Sequence, residues 1–144
     1  MKTDNYYKPM YPIGEAAKKL NVSVHSLRLY ENEGFIIPHR TKSKRRFYSE
    51  LEIDKIKCII KMIKEDGMNF EGLKRLYSFI PCWFIRGCSE KERKQCTPFI
   101  TRSLPCWATE EKCPNPLPDC RECEVYRKFA TRNDLKKTLN DLMK

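Results

Sequence analysis

Two groups of residues in this sequence have types and spacings that support chemistry. The first is a set of thiols. Of eight cysteines, Cys58 stands alone, whereas Cys82, Cys88, Cys96, Cys106, Cys113, Cys120 and Cys123 crowd into one stretch of the second half. Thiolate is the soft ligand of proteins, suited to zinc and to iron-sulfur clusters, and paired thiols also interconvert with disulfides. Both histidines, His25 and His39, lie in the first half, so a metal bound by the second half would be held by sulfur or carboxylate. The other group is cationic. Arg40, Lys42, Lys44, Arg45 and Arg46 follow one another without an intervening acid, a local density suited to phosphates of a polyanion rather than to general solubility.

The cysteine gaps bear on which metal chemistry applies. Structural zinc takes four ligands, usually as two close pairs, and only Cys120-Arg121-Glu122-Cys123 has that spacing. Iron-sulfur clusters accept more scattered cysteines. A four-iron four-sulfur cluster that leaves three thiols over is therefore the first reading, structural zinc the second, and a thiol-disulfide switch the third. Trp83, Phe84, Phe99, Trp107 and Tyr126 would shield a cluster from water. Seven cysteines cannot all pair with one another, which argues against a complete disulfide framework. A weak repeat sets Pro81-Cys82-Trp83, Cys88 and Cys96 against Pro105-Cys106-Trp107, Cys113 and Cys120, with Cys123 as the extra member. Cys58, on an isoleucine-rich helix face, reads as a small core residue.

The cationic cluster needs a scaffold, and the first eighty residues supply one. Ile13, Ala16, Ala17 and Leu20 keep helical spacing, and Asn21-Val22-Ser23 interrupts them as a tight turn. Ser23 is a good N-cap for a second helix over Val24–Glu33, with Val24, Leu27 and Leu29 inward and Gly34 as its stop. Phe35 to Tyr48 then reads as two extended segments around a hairpin, a wing whose tip carries the cations and whose base is pinned by Ile36, Ile37 and Phe47. Ser49-Glu50-Leu51-Glu52 has the spacing of a capping box and opens an isoleucine-rich helix that Gly67 ends. Asn69 caps the next helix, which Pro81 stops. Pro98, Pro105, Pro114, Pro116 and Pro118 argue against regular elements in the cysteine stretch. Helical character returns at Glu124, with Val125, Phe129, Leu135, Leu139 and Leu142 as a partial stripe.

The expected fold is thus mainly α: a winged helix-turn-helix with two following helices (1–80), an irregular cysteine-rich metal-binding module (81–124) and a C-terminal helix suited to dimerisation (125–144). A net charge of +10 and a pI near 9.3 favour a polyanionic partner. The first residues, MKTDNYYKPMYPIG, lack the apolar core of a signal peptide, and no run approaches the apolar length of a membrane span. A cytoplasmic protein is expected, with no membrane partner, and a reducing compartment favours clustered cysteines as ligands.

Ile13-Gly14-Glu15-Ala16-Ala17, Val22-Ser23, Leu27-Arg28-Leu29-Tyr30-Glu31, Gly34-Phe35, Pro38, Arg40 and Arg46-Phe47-Tyr48, continuing through Ile56 and Gly67-Met68 to about Ile80, closely resemble the MerR family of transcriptional regulators. The resemblance implies a homodimer on a near-palindromic operator of double-stranded DNA, at promoters where RNA polymerase meets a bent and underwound spacer. It places DNA contacts on Ser26, Arg28, Tyr30, Arg40, Arg46 and Tyr48. His25 on the second helix and Lys44 and Arg45 on the wing join them on chemical grounds. The sequence departs from the family at Leu29, where an aromatic is usual, and at Lys44-Arg45, where Gly-Tyr is usual. Pro81-Cys82-Trp83 stands where the family's long dimerisation helix would begin. The second half is also similar to a cysteine-tryptophan repeat appended to prokaryotic sensory proteins.

Together these features point to a DNA-binding transcriptional regulator whose cysteine module senses redox state, oxygen or a metal, through an iron-sulfur cluster or, alternatively, around zinc. An excisionase-like architectural protein with a structural zinc module is the competing reading. No phosphate loop, nucleophile elbow or metal-hydrolase motif is present, so an enzyme is not expected.

Overall fold

A computed structural model of the chain describes residues 4–100, 104–109, 113, 119–129 and 134–144. The chain divides into two compact units, one ending at Asp66 and the other beginning at Gly67. The boundary expected between residues 80 and 81 therefore falls inside the second unit. Among the described residues no helix is long and apolar enough to cross a membrane.

In the first unit a short helix, α1 (Asp4–Tyr7), leads to a two-residue strand, β1 (Tyr11–Pro12), and then to α2 (Ile13–Leu20) and α3 (Val24–Asn32). The α2–α3 turn depends on Asn21, which takes the left-handed conformation at φ 54° while its backbone N–H donates to the carbonyls of Ala17 and Lys18. Asn tolerates that region because its side chain is short and polar. Ser23 then caps α3, accepting from the Ser26 backbone N–H at 3.0 Å, and the left-handed Gly34 at φ 85° follows its end.

The wing is formed by β2 (His39–Arg40) and β3 (Arg46–Tyr48), with Arg40 opposite Arg46. It belongs to a three-stranded sheet of order β1-β3-β2, in which Tyr11 faces Tyr48. Strand β1 went unpredicted because two residues carry no periodicity. At the wing tip the Lys44 N–H donates to the Thr41 carbonyl at 2.8 Å, and Lys44 itself sits at φ 63°. That is a position for which glycine is favoured.

Helix α4 (Glu50–Lys64) completes the unit. Its start differs from the expected capping box. The Ser49 hydroxyl makes no cap bond to the helix backbone; it donates instead to the Glu52 carboxylate at 2.7 Å. Burial raises the Glu52 pKa, and the Ser49 side chain and backbone oppose that rise. Ala16, Ala17, Leu20, Leu27, Ile36, Tyr48, Ile53 and Ile56 form one core, against which Tyr11, Val22, Val24 and Tyr30 pack. Burying a side chain such as Leu27 contributes about 2–3 kcal/mol. Cys58 is buried on α4, as a core residue should be. Leu29 corrects the predicted inward stripe: it is 38% exposed, because it lies two positions beyond Leu27 and so on another face of the helix.

The second unit opens with α5 (Phe70–Ser78), capped by Asn69, whose side chain accepts from the Gly72 N–H at 2.8 Å. The stretch expected to be irregular consists, where described, of short helical segments: α6 (Cys82–Ile85), α7 (Glu90–Lys94), α8 (Thr97–Ile100), and single 3-10 turns at Cys106–Ala108 and Cys120–Glu122. The expected tail helix is two pieces, α9 (Glu124–Lys128) and α10 (Asp134–Leu142). Ile80, Val125 and Phe129 make a small core, with Tyr77, Cys82, Ile85, Cys106, Trp107 and Cys123 packed against it. Of the tail stripe, Val125 and Phe129 are buried and Leu139 is exposed; the side chains of Leu135 and Leu142, and Pro114, Pro116 and Pro118, lie outside the described residues.

A non-glycine residue in the left-handed region costs about 1 kcal/mol. Lys44→Gly should therefore raise stability by about 0.5–1 kcal/mol in urea denaturation, part of the relief being lost to the greater freedom of glycine in the unfolded chain. A loss of stability would mean that the Lys44 side chain makes a stabilising contact.

Candidate DNA interface and thiol unit

The helix α3 and the wing converge on one carboxylate. Glu31 Oε1 accepts from Arg40 at 2.7 Å, and Glu31 Oε2 accepts from Arg46 at 2.7 Å. Glu31 is nearly buried, Arg46 is 24% exposed at the side chain, and Arg40 is 47% exposed. Each strand of the wing is thus tied to α3 by an arginine, and the carboxylate screens two cations held side by side. Charge-assisted bonds of this length are stronger than neutral ones. The guanidinium of Arg45 lies 5.7 Å from the centre of the Phe47 ring, which steadies a third cation on the wing.

The nominated residues separate by role. His25 and Arg28 are exposed on α3, as are Lys44 and Arg45 at the wing tip. Ser26 is half-buried and accepts a hydrogen bond from the Ser23 hydroxyl at 3.0 Å. Tyr30 is half-buried against the core, and burial raises its pKa. Tyr48 departs furthest from expectation. It is fully buried, so its ring is a core element rather than a groove contact. Its hydroxyl has no hydrogen-bond partner among the described residues. Burial first and the Glu31 charge second push its pKa up to about 12.

All seven clustered cysteines are described, and all are free thiols. Among the described residues no three His, Cys, Asp or Glu side chains form a group that could hold a metal ion. Among the described residues, therefore, neither the iron-sulfur nor the zinc reading finds a preformed ligand set. The thiols nonetheless influence one another. Cys113 and Cys82 act electrostatically on both Cys88 and Cys96, and Cys123 and Cys120 on Cys106. The closest relation is a thiol-thiol hydrogen bond between Cys82 and Cys106, which lowers the Cys82 pKa to about 7 and raises that of Cys106. Burial dominates the upward shifts of Cys88, Cys96 and Cys120.

The repeat has a different phase in space from the one its spacing implied. Pro81 and Pro105 are both fully buried, and each accepts at its carbonyl from the N–H three residues on, Phe84 at 3.1 Å and Ala108 at 3.0 Å. The next tryptophans each make an edge contact with a later aromatic: Trp83 with Phe99 at 5.1 Å and 87°, Trp107 with Tyr126 at 5.4 Å and 80°. Phe99, in α8, lies three residues after Cys96, which directly precedes that helix. Tyr126 lies three residues after Cys123, the N-cap of α9. Cys123, not Cys120, is thus the counterpart of Cys96, and Cys120 is the extra member. Trp83, Phe99, Trp107 and Tyr126 are engaged in these two ring contacts, whereas Phe84 is 55% exposed.

Residues 11–79 match the MerR HTH family regulatory protein family. The uncharacterized HTH-type transcriptional regulator YyaN of Bacillus subtilis (strain 168) is 40% identical over 96 residues, which cover 66% of this chain and 68% of that protein. The chain belongs to the MerR family. It is also similar to the HTH-type transcriptional regulator GlnR of Bacillus anthracis, 34% identical over 76 residues, or 53% of this chain and 58% of GlnR. The match thus spans little more than half the length of these GlnR proteins. A putative heat shock protein HspR of Streptomyces coelicolor is 31% identical over 68 residues, 47% of this chain and 45% of HspR.

In this MerR-family chain the sequence reading nominated the cations but missed Glu31, the group that organises two of them. A signal was present: Glu31 is the single acid of α3, where Arg28 is the one basic residue apart from His25, and a wing rich in arginine follows it in sequence. The two ion pairs should differ in strength, because exposure to solvent weakens Arg40 more than Arg46. Double-mutant cycles in urea denaturation, using Glu31→Gln with Arg46→Gln or Arg40→Gln, should give a coupling of about 1 kcal/mol for Arg46 and about 0.3 kcal/mol for Arg40. Equal couplings, or a larger one for Arg40, would contradict this ranking.

Proposed function

We propose that the chain is a DNA-binding transcriptional regulator of MerR type, not an enzyme, and that it binds a near-palindromic double-stranded operator as a homodimer, where RNA polymerase can meet it. The observation that carries this reading is the pairing of an exposed helix face bearing His25 and Arg28 with a wing bearing Arg40, Lys44, Arg45 and Arg46, the two tied together through Glu31. A helix of this size fits the major groove, and wing cations suit the flanking phosphates. The similarity to YyaN and GlnR, both named as HTH-type transcriptional regulators, supports the same reading. Arg28 is the cleanest test, since its loss leaves the Glu31 pairs in place. Arg28→Ala should weaken operator protection in footprinting and reduce the slope of log affinity against log salt by about 1. Unchanged protection and slope would overturn the role assigned to α3.

The thiol unit is the proposed sensor of redox state, oxygen or a soft metal. A four-iron four-sulfur cluster or zinc is supported by the donor chemistry alone, seven thiols with no competing histidine nearby in sequence; either would require the thiols to close together from the positions described above. Metal and labile-sulfide analysis of anaerobically purified protein decides between them. Iron with sulfide supports the cluster, zinc supports a structural site, and metal-free protein leaves the thiols as the sensing groups.

A further inference from the structure

We propose that Cys82 and Cys106 are a redox-active dithiol that closes to a disulfide between the two Pro-Cys-Trp segments. The inference deepens the sensor reading and rests on it for its regulatory consequence, though not for the chemistry of the bond. The geometry has three parts. The two thiols are hydrogen-bonded to each other. They occupy equivalent positions, each after a fully buried proline and before a tryptophan held by an edge contact. Both pack, half-buried, against the same small core of Ile80, Val125 and Phe129. Two sulfurs in hydrogen-bond contact need only a small side-chain movement to reach the S–S bond length of about 2 Å. The backbones that carry them are flanked by the buried Pro81 and Pro105 and by the ring contacts of Trp83 and Trp107.

A hydroperoxide is a sufficient oxidant. The Cys82 sulfur attacks a peroxide oxygen, an S–O bond forms, the O–O bond breaks, and the hydroxide that leaves takes up the Cys82 proton as water; Cys82 becomes a sulfenic acid and the peroxide is reduced by two electrons. The Cys106 sulfur then attacks the Cys82 sulfur, the S–S bond forms, the S–O bond breaks, and the departing hydroxide takes the Cys106 proton. Two thiols and one hydrogen peroxide thus give one disulfide and two waters. A low-molecular-weight thiol reverses it by exchange.

The segments joined also hold Trp107 against Tyr77 of α5, at 6.1 Å between ring centres. Closing the bond therefore acts on the packing of the helix that opens the second unit.

The test uses the reduced full-length chain treated with stoichiometric hydrogen peroxide, then alkylated under denaturing conditions and digested. Free thiols should fall from eight to six, and mass spectrometry should find Cys82 linked to Cys106 as the dominant cross-linked peptide. Cys82→Ser and Cys106→Ser should each abolish that loss while Cys120→Ser leaves it unchanged, and circular dichroism of each variant separates loss of the bond from loss of the fold. A dominant link between any other pair, or eight thiols remaining, would overturn the proposal. Duplex binding by the reduced chain is measured alongside. If binding is intact and the link is elsewhere, the dithiol assignment alone fails; if the link forms and no duplex is bound, the regulator reading fails instead.

Discussion

Glu31 lies on α3 and accepts from an arginine on each strand of the wing, so the helix and the hairpin cannot move apart without exposing a nearly buried carboxylate. Duplex reading places a helix in one groove and a hairpin over the neighbouring backbone, and both must arrive in register. Without the carboxylate, Arg40 and Arg46, directly opposite each other in the sheet, would face one another as unscreened like charges. The same arrangement leaves guanidinium N–H groups unspent by Glu31, so positioning by the carboxylate and contact with a phosphate are compatible.

The rest of the first unit supports this geometry. Tyr48 fills the core behind the wing, Asn21 sets the turn that orients α3 against α2, and the Tyr11 hydroxyl donates to Glu50 and anchors β1 to the start of α4. The second unit is built differently. Its small core has Cys82, Cys106 and Cys123 packed against it, so the thiols proposed as sensing groups also contribute to the packing of the unit.

Much of the first unit was legible in the sequence because its signals are local. Helical spacing gave α2 and α4, Ser23 and Asn69 announced their helices, and Gly34 and Gly67 marked stops that the positive φ angles bear out. What escaped depends on distance in sequence. Glu31 with Arg40 and Arg46, and β1 with β3, are pairings between separated segments that no window reveals. Leu29 was assigned inward on apolar character alone, although its phase relative to Leu27 sets it on another face. In the second unit the cysteine gaps suggested a repeat but set its phase one cysteine early, because the edge contacts of Trp83 with Phe99 and Trp107 with Tyr126 define equivalence and the gaps do not.

The central claim is that this chain reads the sequence of duplex DNA through α3 and the wing. Selection of bound duplexes from a randomised library by the purified full-length chain tests it most directly. The account predicts enrichment of an inverted repeat whose half-sites suit two copies of α3; recovery of no sequence above the starting pool at physiological salt would contradict it.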